Sequence, residues 1–353
     1  MTTIAPERAA TAPVRPAQAP KLADTRLNAW LNETGAPPLF VEAIPGAFDT
    51  VESSLDWVRS NEDLLNSLVL DYGVVVLRGF GFRKPEDFNQ FALLWPKWVG
   101  GYVGGASPRS SVVGIVLEAT RLDPKFTIGL HQEMSYLPRY PSKIAFFGNR
   151  IADEGGATTI GDMVEVSRQV PAELAAKIQK YGVRCVRNYG PKGDGLGVAH
   201  HIDDKPWNVG LGTDDKEEAE AICASMGIEP YWNEDGSLTV VTVTPGYNRH
   251  SKTGELIYHS NIHTHARANA DFGTDNPIWD EARKHQKFHT GYLLGNGEEL
   301  SVEEQQLLEG LCDAAVKRWQ WQQGDIMLLD NLQIAHGRDP FKGDRDTLVT
   351  LLA

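Results

Sequence analysis

The stretch Trp319–Arg345, WQWQQGDIMLLDNLQIAHGRDPFKGDR, carries the clearest structural pattern in the chain. Its apolar run Ile326–Leu329 is long enough for a buried strand, and a second short strand, Leu332–Ala335, leads directly to His336. A turn that contains glycine and proline separates His336 from Arg345 and a last strand. We therefore expect His336 and Arg345 to be presented from strand ends of one sheet, where a metal and an anion could share a pocket. A single histidine at a strand end is more often a hydrogen-bonded core residue, so the other ligands must come from elsewhere in the chain.

Composition places the chain among ordinary globular proteins and excludes some partners. The 353 residues are 41% hydrophobic and 23% charged, and the formal net charge is -13. Without a basic run the chain lacks the electrostatic footprint of a nucleic-acid-binding protein, so a small-molecule substrate is expected. The cysteines Cys185, Cys223 and Cys312 are far apart and form no CxxC motif, which fits core positions in a reducing cytoplasm. No apolar run has the length of a membrane span.

The order of elements predicts one domain after a short leader. Residues 1–24 are rich in Ala, Pro and Thr without apolar periodicity and are predicted to be a disordered leader. Residues 25–353 combine strands with helices, for example a helix over Asp56–Leu70, in an order that favours an antiparallel sheet core with helices beside it. Residues 189–275 form a long and less regular insertion, which is typical of a lid over a site.

The tripeptide His131-Gln132-Glu133 is the main candidate for chemistry. It follows a predicted strand, Phe126–Leu130, whose expected neighbour is Lys143–Asn149. Residues i and i+2 of an extended segment point the same way, so both side chains can bind one ion. With a distant histidine they form a face of two histidines and one carboxylate, which leaves three positions open for Fe(II) chemistry. The tripeptide is weakly specific, because His201-Ile202-Asp203 has the same pattern, although no predicted strand flanks it.

The remaining histidines have simpler interpretations. His263 and His265 alternate along a possible strand, and His285 and His289 share a helical face at a spacing that could hold zinc. Neither pair has an acidic or cysteine partner nearby, and lysines flank the helical pair. Solvated surface positions explain His285 and His289 better than metal binding.

Several motifs in order give the chain a resemblance to a known family. They are His131-Gln-Glu-Met-Ser-Tyr, Pro141, Lys143-Ile-Ala-Phe-Phe, Gly155-Gly-Ala-Thr-Thr-Ile-Gly-Asp162, Gly324-Asp325, Asp330-Asn331, His336-Gly-Arg338 and Phe341-x-Gly-x-Arg345. Together they resemble the taurine dioxygenase superfamily of Fe(II)/2-oxoglutarate oxygenases. They are most similar to its branch with the syringomycin-type aspartyl hydroxylase, clavaminate synthase and asparagine oxygenase. The resemblance implies a mainly β fold with flanking helices, a double-stranded β-helix or jelly roll of the cupin-like kind.

The resemblance also implies roles for particular residues. His131, Glu133 and His336 match the family's iron ligands, and Thr158 and Arg345 match the residues that hold the far carboxylate of 2-oxoglutarate. A guanidinium can grip a carboxylate with two parallel hydrogen bonds, so the second assignment is chemically sensible. The simpler interpretation of Arg345 is a surface ion pair with a neighbouring aspartate. Arg338 is a candidate contact to the iron site or to a substrate carboxylate.

The motifs favour one reaction type and leave the substrate open. An intact Glu133 argues against halogenation, because family halogenases have a small residue there. In the segment Tyr258–His265 only Tyr258 and Asn261 match the branch's substrate-facing pattern, so known substrates are not transferred to this chain.

The expected activity is hydroxylation of an unactivated C–H bond in an amino-acid-like or natural-product intermediate, with O2 consumed and succinate and CO2 released. Desaturation, epoxidation or cyclisation at the same site remain alternatives, as does a redox-silent metal-binding jelly roll. The sequence leaves open whether the substrate is tethered to a carrier protein and whether the chain forms a homo-oligomer.

Overall fold

The computed structural model describes residues 15–33, 35–99, 110–119, 122–193, 206–264 and 290–353. Its largest sheet has eight strands, and all neighbouring strands run antiparallel except the second and third in the spatial order given next. In spatial order these are β1 (Leu27–Glu33), β2 (Ala36–Ala43), β3 (Val74–Arg78), β17 (Ile326–Asp330), β7 (Lys143–Arg150), β20 (Asp346–Leu352), β5 (Val116–Glu118) and β4 (Ser111–Val113).

A second sheet of four strands faces the large one. Its strands are β16 (Val316–Lys317), β9 (Thr158–Asp162), β18 (Ile334–Arg338) and β6 (Ile128–His131). The His336 ring on β18 lies 5.1 Å from the Phe146 ring on β7, edge to face. Apolar side chains from both sheets, such as Met327 and Ile160, share one buried cluster. The predicted mainly β jelly roll is confirmed.

Successive side chains along each strand of the large sheet point to opposite faces, and this explains where the helices lie. Val76, Phe146 and Met327 face the smaller sheet, whereas residues next to them, such as Leu77 and Phe147, belong to a second cluster. Side chains from three helices complete that second cluster on the outer face, because strands buried on both sides need cover on both. These helices are α1 (Val51–Ser60), α2 (Glu62–Tyr72) and α3 (Pro85–Ala92).

Two strands of the insertion, Glu229–Trp232 and Leu238–Thr244, join two strands beside it in sequence to form a third sheet, and the chain also has two short ribbons, one of which lies within the insertion. The sheet is formed by β11 (Glu229–Trp232), β12 (Leu238–Thr244), β10 (Val183–Tyr189) and β15 (Thr290–Leu294), and the ribbons are β13 (Tyr247–Arg249) with β14 (Leu256–Tyr258) and β8 (Glu154–Gly155) with β19 (Phe341–Lys342). The remaining helices are α4 (Met163–Gln169), α5 (Ala172–Tyr181), α6 (Trp207–Leu211), α7 (Lys216–Met226) and α8 (Val302–Ala314). The described part of the insertion is therefore more regular than the sequence suggested.

The sequence-based strand pairings need two corrections. β6 pairs with β18, not with β7, which lies between β17 and β20 in the other sheet. His336 lies within β18, while Arg345 directly precedes β20. These two residues therefore lie on opposite sheets, and the prediction that one sheet presents both was wrong. The turn between them carries the chain from one sheet to the other.

Two predicted boundaries also differ. The helix predicted over Asp56–Leu70 is two helices, α1 and α2, that meet at Asn61, whose side chain bonds back to the Trp57 carbonyl. The predicted leader is too long in its described part, because the Arg15 side chain pairs with Asp162 and the Gln18 carbonyl accepts from Tyr72. Residues 1–14 lie outside the described residues.

The three cysteines occupy the core positions expected from the sequence. Cys185, Cys223 and Cys312 are buried, and none forms a disulfide. None of the helices in the described ranges is long and apolar enough to cross a bilayer.

Candidate active site

Pairing of β6 with β18 in the four-stranded sheet brings His131, Glu133 and His336 together. His131 ends β6 and is paired in register with His336 on β18, so the two rings lie 4.4 Å apart between centroids. One ligand atom from each of the three residues lies within 4.8 Å of the others. Glu133 and His336 are buried and His131 is half-buried. The predicted constellation is therefore assembled in space.

The donor set suits a metal of the iron type. The Nδ1 of His131 lies 3.0 Å from the Gly129 carbonyl, which can only accept, so this nitrogen carries the proton. The lone pair of the ring is then on Nε2, the atom that remains for a metal. Two imidazoles and one carboxylate form the facial arrangement that Fe(II) oxygenases use. The residues present thus fit Fe(II).

The backbone that carries Glu133 is fixed by an amide that the sequence analysis gave no role. Asn331 is fully buried; its Oδ1 accepts from the Glu133 N–H at 2.8 Å, and its Nδ2 donates to the Glu133 and Pro141 carbonyls at 2.8 and 2.9 Å. Gln132 also donates to the Leu332 carbonyl at 2.7 Å. The only sequence signal for this support was a polar pair, Asp330-Asn331, directly after a buried strand.

Thr158 and Arg345 lie together near the metal-ligand cluster. The Thr158 hydroxyl accepts from Arg345 Nη2 at 3.2 Å and from Trp321 Nε1 at 3.1 Å, and Arg345 Nε donates to the Gly156 carbonyl. Burial, with the nearby Arg338 cation, lowers the pKa of Arg345 to about 10, so it remains cationic near neutral pH. Sequence reasoning did not identify Trp321.

Among the described residues, Arg345 does not form the surface ion pair with a neighbouring aspartate that was its simpler interpretation. Asp344 pairs with Arg150, and the Asp346 carboxylate accepts from Asn149. One cavity is lined by His131, His336, Thr158 and Arg345, together with Ile128 and Phe146. On β18, His336 pairs with His131, and Arg338, two residues further along, pairs with Thr158. A molecule in this cavity could contact the metal cluster and the guanidinium at once.

Arg338 and Asn261 were the two less specific predictions. The Nη1 and Nη2 groups of Arg338 donate to the carbonyls of Leu122, Asp123 and Phe126, which anchors the loop before β6, and its side chain also lines the cavity. The Asn261 Oδ1 is buried without a hydrogen-bond partner among the described residues. Contacts of either residue with a substrate stay predictions.

The insertion contacts the strand that carries His131. The buried His263 donates from Nε2 to the Leu130 carbonyl, which requires Nδ1 to accept from the Tyr258 hydroxyl. Burial lowers the pKa of His263 to about 4, so the ring is neutral. His263 is thus a structural link outside the metal cluster. His265, His285, His289 and the His201-Ile202-Asp203 tripeptide lie outside the described residues.

Comparison with known proteins agrees with this geometry. Residues 41–352 match the family model described as taurine catabolism dioxygenase TauD, TfdA family. The dapdiamide synthesis protein DdaC of Enterobacter agglomerans is 25% identical over 303 residues, covering 86% of this chain and 88% of its own. A clavaminate synthase-like protein of Arabidopsis thaliana is 27% identical over 303 residues, covering 83% of this chain and 86% of its own.

A solved structure supports the fold. AAD-2 in complex with Mn(II) and N-oxalylglycine superposes with a TM-score of 0.50 at 15% identity, covering 93% of this chain and 97% of that one. At this identity the likeness concerns the fold alone.

Proposed function

Because the chain belongs to the TauD/TfdA family and is a 2-oxoglutarate-dependent non-haem iron dioxygenase, we propose that it hydroxylates an unactivated C–H bond of an amino-acid-like or natural-product intermediate. Succinate and CO2 would be the other products. The observation that carries the proposal is that one cavity is lined both by His131 and His336 and by Arg345. A short molecule with two acidic ends, such as 2-oxoglutarate, could bind a metal at the histidines and the guanidinium at once.

In this proposal His131, Glu133 and His336 hold Fe(II). His131 uses Nε2, since its Nδ1–H is donated to the Gly129 carbonyl and fixes the ring's orientation. Glu133 is kept in place through its backbone by Asn331. When bound, Fe(II), 2-oxoglutarate and O2 supply the oxidative chemistry, which the protein directs by orientation and exclusion of water.

Arg345 and Thr158 hold the far carboxylate of 2-oxoglutarate. The buried guanidinium gains an anionic partner, and the Thr158 hydroxyl, which already accepts from Trp321, can donate its proton to the same carboxylate. Trp321 orients this hydroxyl. The residues fit a dicarboxylate better than a neutral ligand, because a neutral ligand would leave the cation buried without compensation.

The insertion covers the site in this proposal. Its described part is linked to β6 through His263 and to the Glu133 segment through Gln132, which donates to the Tyr258 carbonyl at 3.2 Å. A cover on this side excludes water from the reacting centre. We place the enzyme in the cytoplasm, where its buried thiols would stay reduced.

The substrate class is inferred from the relatives. DdaC is a dapdiamide synthesis protein by its name, and this supports a natural-product intermediate. We propose that this intermediate is amino-acid-like and either free or tethered to a carrier protein. Desaturation, epoxidation and cyclisation begin from the same site, so the product itself must distinguish them.

The test is succinate formation by the Fe(II)-loaded protein with 2-oxoglutarate and a panel of amino-acid-like substrates. His131→Ala should abolish substrate-dependent succinate release, while His250→Ala, whose ring caps a distant turn, should retain it. Retained turnover in His131→Ala would exclude the proposed iron ligand. With ¹⁸O2, a hydroxylated product gains one labelled oxygen, whereas a desaturated product loses two hydrogens and gains none.

A further inference from the structure

A row of four aromatic rings leads from the candidate active site toward the surface. It begins at Trp321, whose Nε1 donates to the Thr158 hydroxyl at 3.1 Å. The Trp319 ring lies 4.3 Å from the Trp321 ring between centroids, and the Phe40 ring lies 5.7 Å from Trp319. Trp30 is stacked on Phe40 at 3.9 Å, with an angle of 5° between the ring planes. The first three rings are buried, whereas Trp30, on the edge strand β1, is half-buried.

The inner end of the row lies close to the proposed metal ligands. Thr158 lines the same cavity as His131 and His336. On the paired strands β9 and β18, His336 is opposite Ile160, and Ile160 is two residues from Thr158. Two residues of a strand span about 7 Å, so the Trp321 indole stands within a short distance of the metal site. Indoles are among the side chains that lose an electron most easily, which makes this distance chemically relevant.

The indole N–H groups of the row have different partners, and this gives the row a direction. Trp30 donates from Nε1 to the Glu42 carboxylate at 2.8 Å. Trp321 donates to a hydroxyl, and Trp319 Nε1 is buried without a hydrogen-bond partner in the part of the chain that the structure describes. An indole that has lost an electron becomes acidic at its ring nitrogen. Within the row, Trp30 is the indole with a carboxylate to accept that proton, so the missing electron is least costly there.

We propose that this row carries electrons from the surface to the metal site when 2-oxoglutarate and O2 are consumed without substrate. Such a turnover gives succinate and CO2 and leaves the second oxygen atom of O2 at the metal site. Two electrons and two protons convert that atom to water. This role depends on the family activity and on the proposed metal ligands, and it is independent of the proposed substrate.

Each electron moves inward in the same way. Trp321 gives up an electron and regains one from Trp319, which is refilled from Trp30. Phe40 acts only as a bridge, because a phenyl ring is much harder to oxidise than an indole. The Trp30 proton passes to Glu42, and a small reductant such as ascorbate later returns one electron and one proton to the neutral Trp30 radical. The metal ligands and Trp321 are thereby protected from oxidation.

The test is where the protein oxidises itself. The Fe(II)-loaded protein receives 2-oxoglutarate and O2, with catalase but without substrate or reductant, and peptide mass spectrometry locates the oxygen added to tryptophan. Trp30 should be the main site, because its unreduced radical reacts with O2. Trp232 is the internal control, since it is also half-buried and donates to a carboxylate, that of Glu220 at 2.7 Å, but lies on β11 outside the row. Equal oxidation of Trp30 and Trp232 would overturn the proposal.

Two variants interrupt the row without changing a proposed ligand. Trp319→Phe removes the middle indole and loses no hydrogen bond to any described residue. Glu42→Gln keeps an acceptor oxygen for Trp30 but removes the base that takes its proton. Each variant should lower oxidation of Trp30 severalfold and raise that of Trp321, and unchanged oxidation of Trp30 in Glu42→Gln would overturn the proposal even if Trp319→Phe does not fold.

An EPR measurement gives a second readout. Freeze-quenched wild-type samples should show a neutral tryptophan radical. Trp30→Phe, which keeps a ring stacked on Phe40, should lack this signal. A signal of the same size in Trp30→Phe would show that the electron is taken from elsewhere.

Succinate measured in the same samples separates this role from the proposed function. Succinate release without preferential oxidation of Trp30 overturns the electron path and leaves the metal site intact. If no succinate forms, the proposed cosubstrate site fails, and hydrogen peroxide added to the Fe(II)-loaded protein without catalase then generates the oxidant at the bound metal. Preferential oxidation of Trp30 in that experiment still supports the path, and oxidation confined to residues around the metal overturns it.

Discussion

Asn331→Ala should show that a residue outside the proposed ligand set controls metal binding. The Asn331 amide makes three hydrogen bonds to backbone groups, and two of them are to Glu133. Its own N–H also donates to the Ser142 carbonyl, a bond that alanine retains. The substitution therefore removes the support of Glu133 without touching any proposed ligand.

The expected loss of stability follows from the backbone groups that lose their hydrogen bond to Asn331. Alanine leaves the Glu133 N–H, the Glu133 carbonyl and the Pro141 carbonyl without their partner in a fully buried place. Each such group costs about 1–3 kcal/mol when buried and unsatisfied, so the metal-free protein should lose roughly 3 kcal/mol or more of unfolding free energy. When a residue that holds a metal ligand in place by hydrogen bonds is removed, metal binding weakens by about 10- to 100-fold.

Urea unfolding of the metal-free protein and anaerobic Fe(II) titration measure the two effects. Gln333→Ala is the control, because this amide lies two residues further along the same turn and donates to Leu70 and Asp330, not to Glu133. The control should lose stability and keep its Fe(II) affinity. If Asn331→Ala binds Fe(II) as tightly as the wild type does, the support of Glu133 by Asn331 is not what sets the geometry of the site.

Further outcomes follow from the other contacts. Arg345→Ala should raise the KM for 2-oxoglutarate by about tenfold or more, because a charged hydrogen bond contributes about 1.5–3 kcal/mol, and Thr158→Val should raise it by roughly fivefold; steady-state succinate assays measure both. Burial lowers the pKa of His259 to about 3, so below pH 6.5 the unfolded chain takes up a proton that the folded chain does not, and stability falls as the pH falls. In His259→Gln, the slope of the unfolding free energy against pH, measured by urea unfolding, should therefore be smaller by about 1.4 kcal/mol per pH unit between about pH 5.5 and 4. An unchanged slope would contradict a buried neutral ring. Asp325→Ala leaves Arg78 buried without its carboxylate and should cost about 3–5 kcal/mol in urea unfolding, with the KM for 2-oxoglutarate unchanged.

Local patterns in the sequence predicted most of the elements that carry the site. The apolar run Ile326–Leu329 forms most of β17, and the strand expected before His131 is β6. A local pattern of the same kind, Ser301 followed three residues later by Glu304, forms the capping box that starts α8. These predictions succeeded because strand length, turn residues and caps depend on neighbours in the chain.

Partner choice between strands could not be predicted in the same way. β6 and β7 are close in sequence and both apolar, yet β7 pairs with β17 and β20, and β6 pairs with β18. A strand's own pattern gives which face is buried but not which strand lies beside it. The support of Glu133 by Asn331 was missed for the same reason, since this contact spans 198 positions.

The turn between β18 and β20 explains why the paired glycines of the Gly155-Gly156 motif lie beside the proposed cosubstrate site. Both glycines have positive φ, 71° and 69°, and β8 pairs there with β19 on the way to Arg345. A Cβ on Gly155 would overlap the Pro340 carbonyl, and one on Gly156 would stand 3.0 Å from Arg345 Cδ. Only glycine in both places lets the chain return from one sheet to the other closely enough for Arg345 to reach the Thr158 hydroxyl. The glycine motif therefore matters because it lets two backbone segments come close together. A sequence comparison detects the paired glycines but does not explain why they are needed.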